Sequence, residues 1–522
     1  MIGATALKVA FRVDASREIG TGHVTRCLTL GDQLALIGVE VCFVSRELEG
    51  NLNHLIEQRG FHVHRLPPAP AAWKPTAGDI RHAEWLGLSW QDDADQTAEL
   101  LCDSGPLTWL VVDHYGLDVR WEERFRSSGL KVMVIDDLLD RVHACDLLLN
   151  QNLIPDIASR YEALVPNDCA LLLGPSYALL QKDYGLLRQR SPARKGKVQR
   201  ILVSFGGVDK DCLTEKTVRA LLSLQLDDVH VDIVISSGSP QYGRILDAIS
   251  ARMNFHLHDR IPSLSNLILA ADLAIGAGGT TNWERFCLGL PALIVTVAEN
   301  QIEIADELAA LNLIELLGRS EDLDEAKITA AIEPHIRLER DESWSRRCMS
   351  VVDGRGAERV CAVLSAGPEA QLHVRHAILE DEPLLLKWAN DAVTRQNAFS
   401  SGSISAAEHK AWFHRRLRDP AQCVMYIVET TFHVAVGQVR FDKRESGWEI
   451  SYSVAPEFRR RGIGRAMLAI AVACFQQRDA TSLIYGQVKV ENLASSKIFH
   501  SLGFHLVRTE DGRQIFERSG SE

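Results

Sequence analysis

The run Leu7-Lys8-Val9-Ala10-Phe11-Arg12-Val13-Asp14-Ala15-Ser16, followed by Gly20-Thr21-Gly22-His23-Val24-Thr25-Arg26, decides the fold of the first part of the chain. An apolar segment, Leu7–Val13, ends in a polar turn. Apolar residues then recur at Val24, Cys27, Leu28, Leu34 and Ala35, the spacing of a buried helix face. Strand, glycine turn and helix open a βαβ unit. The glycines stand where free backbone N–H groups and the helix dipole favour an anion. His23 and Arg26 share one face of the helix. The positive end of the dipole disfavours a charged imidazole at the helix start. A neutral His23 there is a candidate general base towards water, with Gly20, Gly22 and Arg26 as candidate substrate contacts. On this turn alone, a solvated loop histidine is the better-supported reading.

The same alternation continues along the chain. Further strands are expected at Val39–Val44, Thr108–Val112 and Lys131–Ile135, then at Arg200–Phe205, Val229–Ile235, Ala271–Ile275 and Ala292–Val297. Each run is short and rich in Val, Ile and Leu, as strands buried on both faces of a parallel sheet are. The two series predict two Rossmann-like halves, residues 1–187 and 198–365. Between them Leu187–Gln199, with Arg188, Arg190, Arg194, Lys195 and Lys197, reads as a linker. Ligands of open α/β sheets bind at the carboxyl ends of the strands, so the site is expected in the cleft between the halves.

A second break falls at Ser365–Gln371. Beyond it Ala377–Asn390 and Ala406–Leu417 read as helices. Cys423–Glu429, His433–Phe441 and Trp448–Val454 read as a strand meander, and Leu483–Val490 as a further strand between helices. Residues 373–518 are thus expected to form an α+β domain. With 522 residues, 46% hydrophobic and 24% charged, the chain has the composition of a soluble multidomain protein. A net charge of −12 argues against a nucleic-acid surface. The 11 cysteines form no CxxC pair and no zinc spacing, so reduced thiols and no metal are expected. No signal peptide and no membrane helix are read in the sequence, and a cytoplasmic location is expected.

In the second half, Ser204-Phe205-Gly206-Gly207 ends a strand, where glycines let the chain approach a phosphate. Gly278-Gly279-Thr280-Thr281-Asn282-Trp283-Glu284 opens a helix whose N–H groups suit a diphosphate. Glu284 could accept from ribose hydroxyls, and Thr281 with Glu284 also fits a capping box. Asn300 and Gln301 follow a strand end and, on placement alone, read as a solvated loop.

These motifs, with Val112-Asp113-His114-Tyr115-Gly116, Ile135-Asp136-Asp137, Asn150-Gln151-Asn152, the run from Leu173 to Leu179 and Ser204–Asp209, resemble the pseudaminic-acid pathway hydrolases in order and spacing. Those enzymes release UDP from UDP-2,4-diacetamido-2,4,6-trideoxy-β-L-altropyranose. The resemblance implies a GT-B-like fold of two Rossmann halves, His23 as the base for water attack at the anomeric carbon, a sugar-facing role for Asp113, His114 and Tyr115, with a structural His-Tyr pair as the alternative, and sugar contacts from the amides of Asn300 and Gln301. Asp14, at the end of the first strand, could orient His23 or bind the sugar; strand-end capping is an equal alternative.

In the last domain a strand ending at Val454 runs into Arg459-Arg460-Arg461-Gly462-Ile463-Gly464-Arg465 and a helix, a setting that suits a pyrophosphate. With Asn492 and Phe499-His500-Ser501-Leu502-Gly503-Phe504, this region resembles the GCN5-related N-acetyltransferases (GNAT). The resemblance implies acetyl-CoA as co-substrate. Strands splayed around Val454 and Val488 would admit the pantetheine arm, the Val454 N–H would polarise the thioester, and the Asn492 region would contact the cofactor. Many members carry a tyrosine where this chain has Phe499, which leaves Tyr452, Tyr485 or water to protonate the thiolate. Glu449 is a candidate acceptor of the amine proton. Together the resemblances imply a bifunctional enzyme: N-acetylation of a UDP-linked 4-amino sugar, then removal of UDP. The alternatives are a UDP-sugar glycosyltransferase and a GNAT module that is non-catalytic or acetylates another amine.

Overall fold

The computed structural model describes residues 7–70, 73–102, 104–206, 209–259 and 261–519. The chain divides into two compact units, Met1–Val360 and Cys361–Glu522.

The first unit holds two parallel sheets. One comprises β1 (Lys8–Val13), β2 (Glu40–Arg46), β3 (His62–Leu66), β4 (Trp109–Asp113), β5 (Lys131–Ile135), β6 (Leu147–Asn150) and β7 (Ala170–Leu173), in the order β3-β2-β1-β4-β5-β6-β7. The other comprises β8 (Arg200–Ser204), β9 (His230–Val234), β10 (Phe255–His258), β11 (Leu273–Ala277), β12 (Ala292–Thr296) and β13 (Glu315–Arg319), in the order β10-β9-β8-β11-β12-β13. Both orders reverse direction beside their first strand, the Rossmann arrangement whose crevice lies at that switch. β4 and β12 are buried along their whole length, which is why they read as unbroken apolar runs. Apolar clusters built around Val203, Val231 and Ile275 on one face of the second sheet, and Trp283, Phe286 and Ile294 on the other, form its core.

Segment 187–199 lies between the two sheets along the chain and is held in place by its own arginines. Arg194 is 8% exposed and donates to the carbonyls of Ile268, Leu269, Ala271 and Leu288. Arg188 donates to the carbonyls of Cys287 and Met349, both at 2.7 Å. These arginines cap helix-end carbonyls of the second half and anchor the segment to it.

The second unit is α+β. Its mixed sheet comprises β14 (Leu372–His376), β15 (Cys423–Thr430), β16 (Ala435–Arg444), β17 (Gly447–Val454), β18 (Ile484–Lys489), β19 (His505–Glu510) and β20 (Arg513–Arg518), in the order β14-β15-β16-β17-β18-β20-β19. β17 and β18 run parallel and the other pairs antiparallel. Among the described residues no helix is long and apolar enough to cross a membrane.

Candidate functional site

The helix Gly22–Leu36 follows β1, and its first turn brings His23 against the end of β4. His23 Nδ1 lies 2.6 Å from Asp113 Oδ1. Arg26 grips the same carboxylate, Nε on Oδ2 and Nη2 on Oδ1, each at 2.6 Å. Its Nη1 donates to Asp137 Oδ2, also at 2.6 Å. The Tyr115 hydroxyl donates to that oxygen at 2.7 Å, and Asn152 Nδ2 to Asp137 Oδ1 at 2.8 Å. Burial alone would raise the Asp113 carboxyl, but Arg26 and His23 hold it well below the ordinary carboxylate range. An ionised Asp113 therefore fixes the His23 ring with Nδ1 as donor, which leaves Nε2 to accept a proton.

The Arg26 guanidinium is thus engaged by the Asp113 and Asp137 carboxylates. His23 is 8% exposed, with its ring edge-on to Tyr115 at 4.6 Å between centroids. Trp85 stacks on Tyr115 at 5.4 Å and also lies edge-on to His23 at 6.2 Å, and His82 lies 5.7 Å from Tyr115. Trp85 and His82 sit on an aperiodic segment, so no sequence period marks them. Gly20 (φ 80°) and Gly22 keep the approach open: a Cβ at either would meet nothing within 4 Å.

Asp14 does not orient His23. It is fully buried, accepts from Arg46 N at 2.7 Å and lies 2.7 Å from Arg12 Nη1. Its other oxygen is 3.3 Å from His114 Nε2. His114 Nδ1 accepts from Gly116 N at 3.0 Å, so both its nitrogens face into the fold rather than towards a sugar. Burial pushes the His114 imidazole down despite Asp14. Arg12 and Arg46 both pair with Asp93, a buried network beneath the site with no warning in the motifs.

In the second half, Gly206 has φ 89° and open space at its Cβ position; Gly207 lies outside the described residues. Gly278 and Gly279 lead from β11 into the helix Thr281–Cys287. That helix is capped by Thr280 without a side-chain bond, so the Thr281–Glu284 capping box does not form. Burial raises the Glu284 carboxyl to about 7, against the Tyr184 hydroxyl and Arg285. Gln301 folds over the glycine turn, its Oε1 accepting from Val297 N at 3.1 Å and lying 3.6 Å from the Cβ position of Gly278. Asn300 is exposed beside it. Arg81 Nη2 donates to Glu299 Oε2 at 2.6 Å. This exposed bond links the turn after β12 to the segment that carries His82 and Trp85. A cavity of about 580 Å³ between Pro155 and the helix Ile302–Ala310 adjoins it. Its lining carboxylates Glu299, Glu303, Asp306 and Glu307 suit an anion poorly.

In the second unit the β17–β18 ladder has three residue pairs, ending at Ile450 and Gly486. β17 continues to Val454 against β16, and β18 to Lys489 against β20, so the strands splay beyond Ile450. After Val454 the chain turns through Arg460 (φ 59°) and Gly462 (φ 77°) into the helix Ile463–Arg478. A Cβ at Gly464 would meet Val454 Cγ2 at 3.4 Å, so the helix start closes directly on the strand end. Arg460 and Arg465 are exposed. Arg459 instead pairs with Asp391 at 2.6 Å and donates to Val454 O, and Arg461 donates to Glu457 O at 3.2 Å. Asn492 Oδ1 accepts from Ser495 N and caps the helix Leu493–Ser501.

Glu449 Oε2 accepts from Arg444 Nε at 2.9 Å. Phe499 is a core residue, packed on Phe504 and Phe516 at 4.9 and 5.4 Å. A Cβ at Gly486 would come within 2.5 Å of its ring. The Tyr452 hydroxyl stands in the splay and donates to Ser495 Oγ at 3.0 Å.

Residues 371–505 match the family model of the acetyltransferase (GNAT) domain. The chain is 28% identical over 309 residues to the UDP-2,4-diacetamido-2,4,6-trideoxy-beta-L-altropyranose hydrolase of Campylobacter jejuni, covering 58% of this chain and 96% of that one. An uncharacterized protein of Methanocaldococcus jannaschii is 21% identical and aligns over 97% of this chain and 98% of its own. The crystal structure of MurG from Acinetobacter baumannii, 14% identical, covers 69% of this chain and 99% of its own with a TM-score of 0.48. The chain thus unites homology to the altropyranose hydrolase with a GNAT domain in one polypeptide.

Proposed function

We propose that the first unit hydrolyses UDP-2,4-diacetamido-2,4,6-trideoxy-β-L-altropyranose to UDP and the free sugar. The second unit makes that substrate by acetylating the 4-amino group of its UDP-linked precursor. The observation that carries the hydrolase reading is the His23–Asp113 pair at 2.6 Å on the strand ends, in a chain homologous to such a hydrolase. His23 Nε2 takes a proton from water as the water oxygen bonds to the anomeric carbon. The bond from that carbon to the UDP oxygen breaks, and UDP leaves with the electron pair. Asp113 holds the tautomer and stabilises the imidazolium that forms. The glycine turns around Gly206 and Gly278–Gly279 offer N–H groups to the diphosphate, and Glu284, Asn300 and Gln301 flank them.

In the acetyltransferase reading, acetyl-CoA enters the splay between β17 and β18. The amine nitrogen bonds to the thioester carbonyl carbon and gives up one proton to solvent water; the carbon–sulfur bond breaks, the thiolate takes its proton from the Tyr452 hydroxyl, and Tyr452 is reprotonated from solvent. With both reactions on one chain, the intermediate is released near the site that consumes it, which raises its local concentration. Hydrolysis of the diacetamido substrate in H₂¹⁸O tests the first step. The label is expected on the anomeric hydroxyl of the sugar, with UDP unlabelled, and His23→Asn is expected to abolish UDP release. Label in UDP, or full activity of the variant, would refute the assignment.

A further inference from the structure

β14 is an edge strand of the second unit's sheet, and it pairs with β15 so that His373 stands opposite Glu429. At the end of β15 the chain turns back through His433, whose φ of 54° is rare for a residue with a side chain. The turn is held by His433 N donating to Thr430 O at 2.9 Å. It brings His433 Nδ1 to 3.5 Å from Glu429 Oε2, while His373 Nε2 lies 3.1 Å from the same oxygen. All three donor atoms lie within 4.8 Å of one another.

A tetrahedral Zn²⁺ with arms of about 2.0–2.2 Å separates its donors by about 3.3–3.5 Å. The two edges that meet at Glu429 Oε2 bracket that value. The carboxylate is also oriented from behind. Arg375 Nε donates to Glu429 Oε1 at 2.6 Å, and Asp381 fixes Arg375 through two bonds of 2.7 and 2.8 Å. This partner holds Oε2 towards both imidazoles, as outer-shell groups do at metal sites. Asp381 and Glu429 together outweigh Arg375 by one negative charge. The Glu429 side chain is 8% exposed, whereas His373 and His433 are 39% and 75% exposed. A buried anion beneath two exposed imidazoles leaves an entry path and room for water as a fourth ligand. The ligands come from positions 373, 429 and 433, too far apart for any short metal spacing in the sequence.

We propose that His373, Glu429 and His433 bind a divalent transition-metal ion, Zn²⁺ foremost, which clips the edge strand to the β15–β16 turn. The proposal stands apart from the acetyl-transfer reading and needs no activity to test. The full chain, without a histidine tag and stripped with chelator, is titrated with Zn²⁺ by calorimetry and with Co²⁺ by visible absorption. Expected are one bound ion assigned to this site, a Co²⁺ band of tetrahedral intensity, and an unfolding midpoint that rises with Zn²⁺. All three are lost in His433→Ala, whose exposed turn position spares the fold, and in His373→Ala. Equal Zn²⁺ binding by wild type and the double variant, or no Zn²⁺ binding by the wild type at micromolar concentration, overturns the proposal and leaves a His–Glu–His hydrogen-bond network.

Discussion

Asp113→Asn separates the role of Asp113 from that of Asp14. Asp113 is fully buried and holds both His23 Nδ1 and the Arg26 fork. An asparagine of the same shape can turn its NH₂ towards His23 Nδ1. The imidazole then carries its proton on Nε2, where it cannot accept one from water. In Asp–His pairs of this kind the change lowers kcat by about 10⁴, equivalent to about 5.4 kcal/mol of transition-state stabilisation. Removing the buried charge also strips Arg26 of one partner, a loss of about 3–5 kcal/mol in stability for a buried pair. Rates must therefore be measured on folded variant, with its unfolding midpoint recorded. The assay is UDP release at saturating substrate. Asp14→Asn is the counterpart: it breaks the pair with Arg12 and costs similar stability, but leaves kcat within about tenfold because Asp14 does not touch His23. Full activity of Asp113→Asn, or equal loss in both variants, would refute the orienting role.

Tyr452→Phe is expected to slow acetyl transfer by about 10²-fold, read as thiol release from acetyl-CoA, with hydrolysis unchanged; an unchanged rate points to water as the acid. Gly486→Ala is expected to destabilise the second unit by about 1–3 kcal/mol through its clash with the Phe499 ring. Phe499→Leu in the same chain should recover part of that loss in a denaturant titration. Glu284 gives a pH dependence of stability. Its folded carboxyl is raised to about 7 by burial, so its contribution is complete below the ordinary value of 4.5 and is lost as pH rises through 7. Glu284→Gln should therefore flatten the fall in denaturant midpoint between about pH 5 and pH 8, and should be more stable than wild type at the upper end.

Strands β1, β4, β8, β11 and β12 were legible because they are almost wholly buried and read as largely apolar runs, whereas the interior strands β6, four residues long, and β20, with charged residues at both ends, were not read. Nor were the edge strands. β3 carries His62, His64 and Arg65, β10 carries His256 and His258, and β19 is exposed throughout, so none shows a buried period. At the site, His23 and Arg26 stood out through their place after a glycine turn. The choice between Asp14 and Asp113 did not, because they end neighbouring parallel strands and only the packing of the helix start decides which one His23 meets. Arg459 shows the same limit: in sequence it belongs to a basic turn, whereas in the fold Asp391 claims it. Phe499 was visible as a departure, but its place among Phe504 and Phe516 depends on strands β18 and β20 lying beside it.

The most direct measurement supplies the purified chain with the UDP-linked 4-amino sugar, with and without acetyl-CoA, and follows both UDP and the sugar product. UDP and free 2,4-diacetamido sugar are expected when acetyl-CoA is present, with accumulation of the acetylated UDP-sugar in His23→Asn. UDP release that is equally fast without acetyl-CoA, or absence of acetylation by the folded protein, would contradict the proposed function.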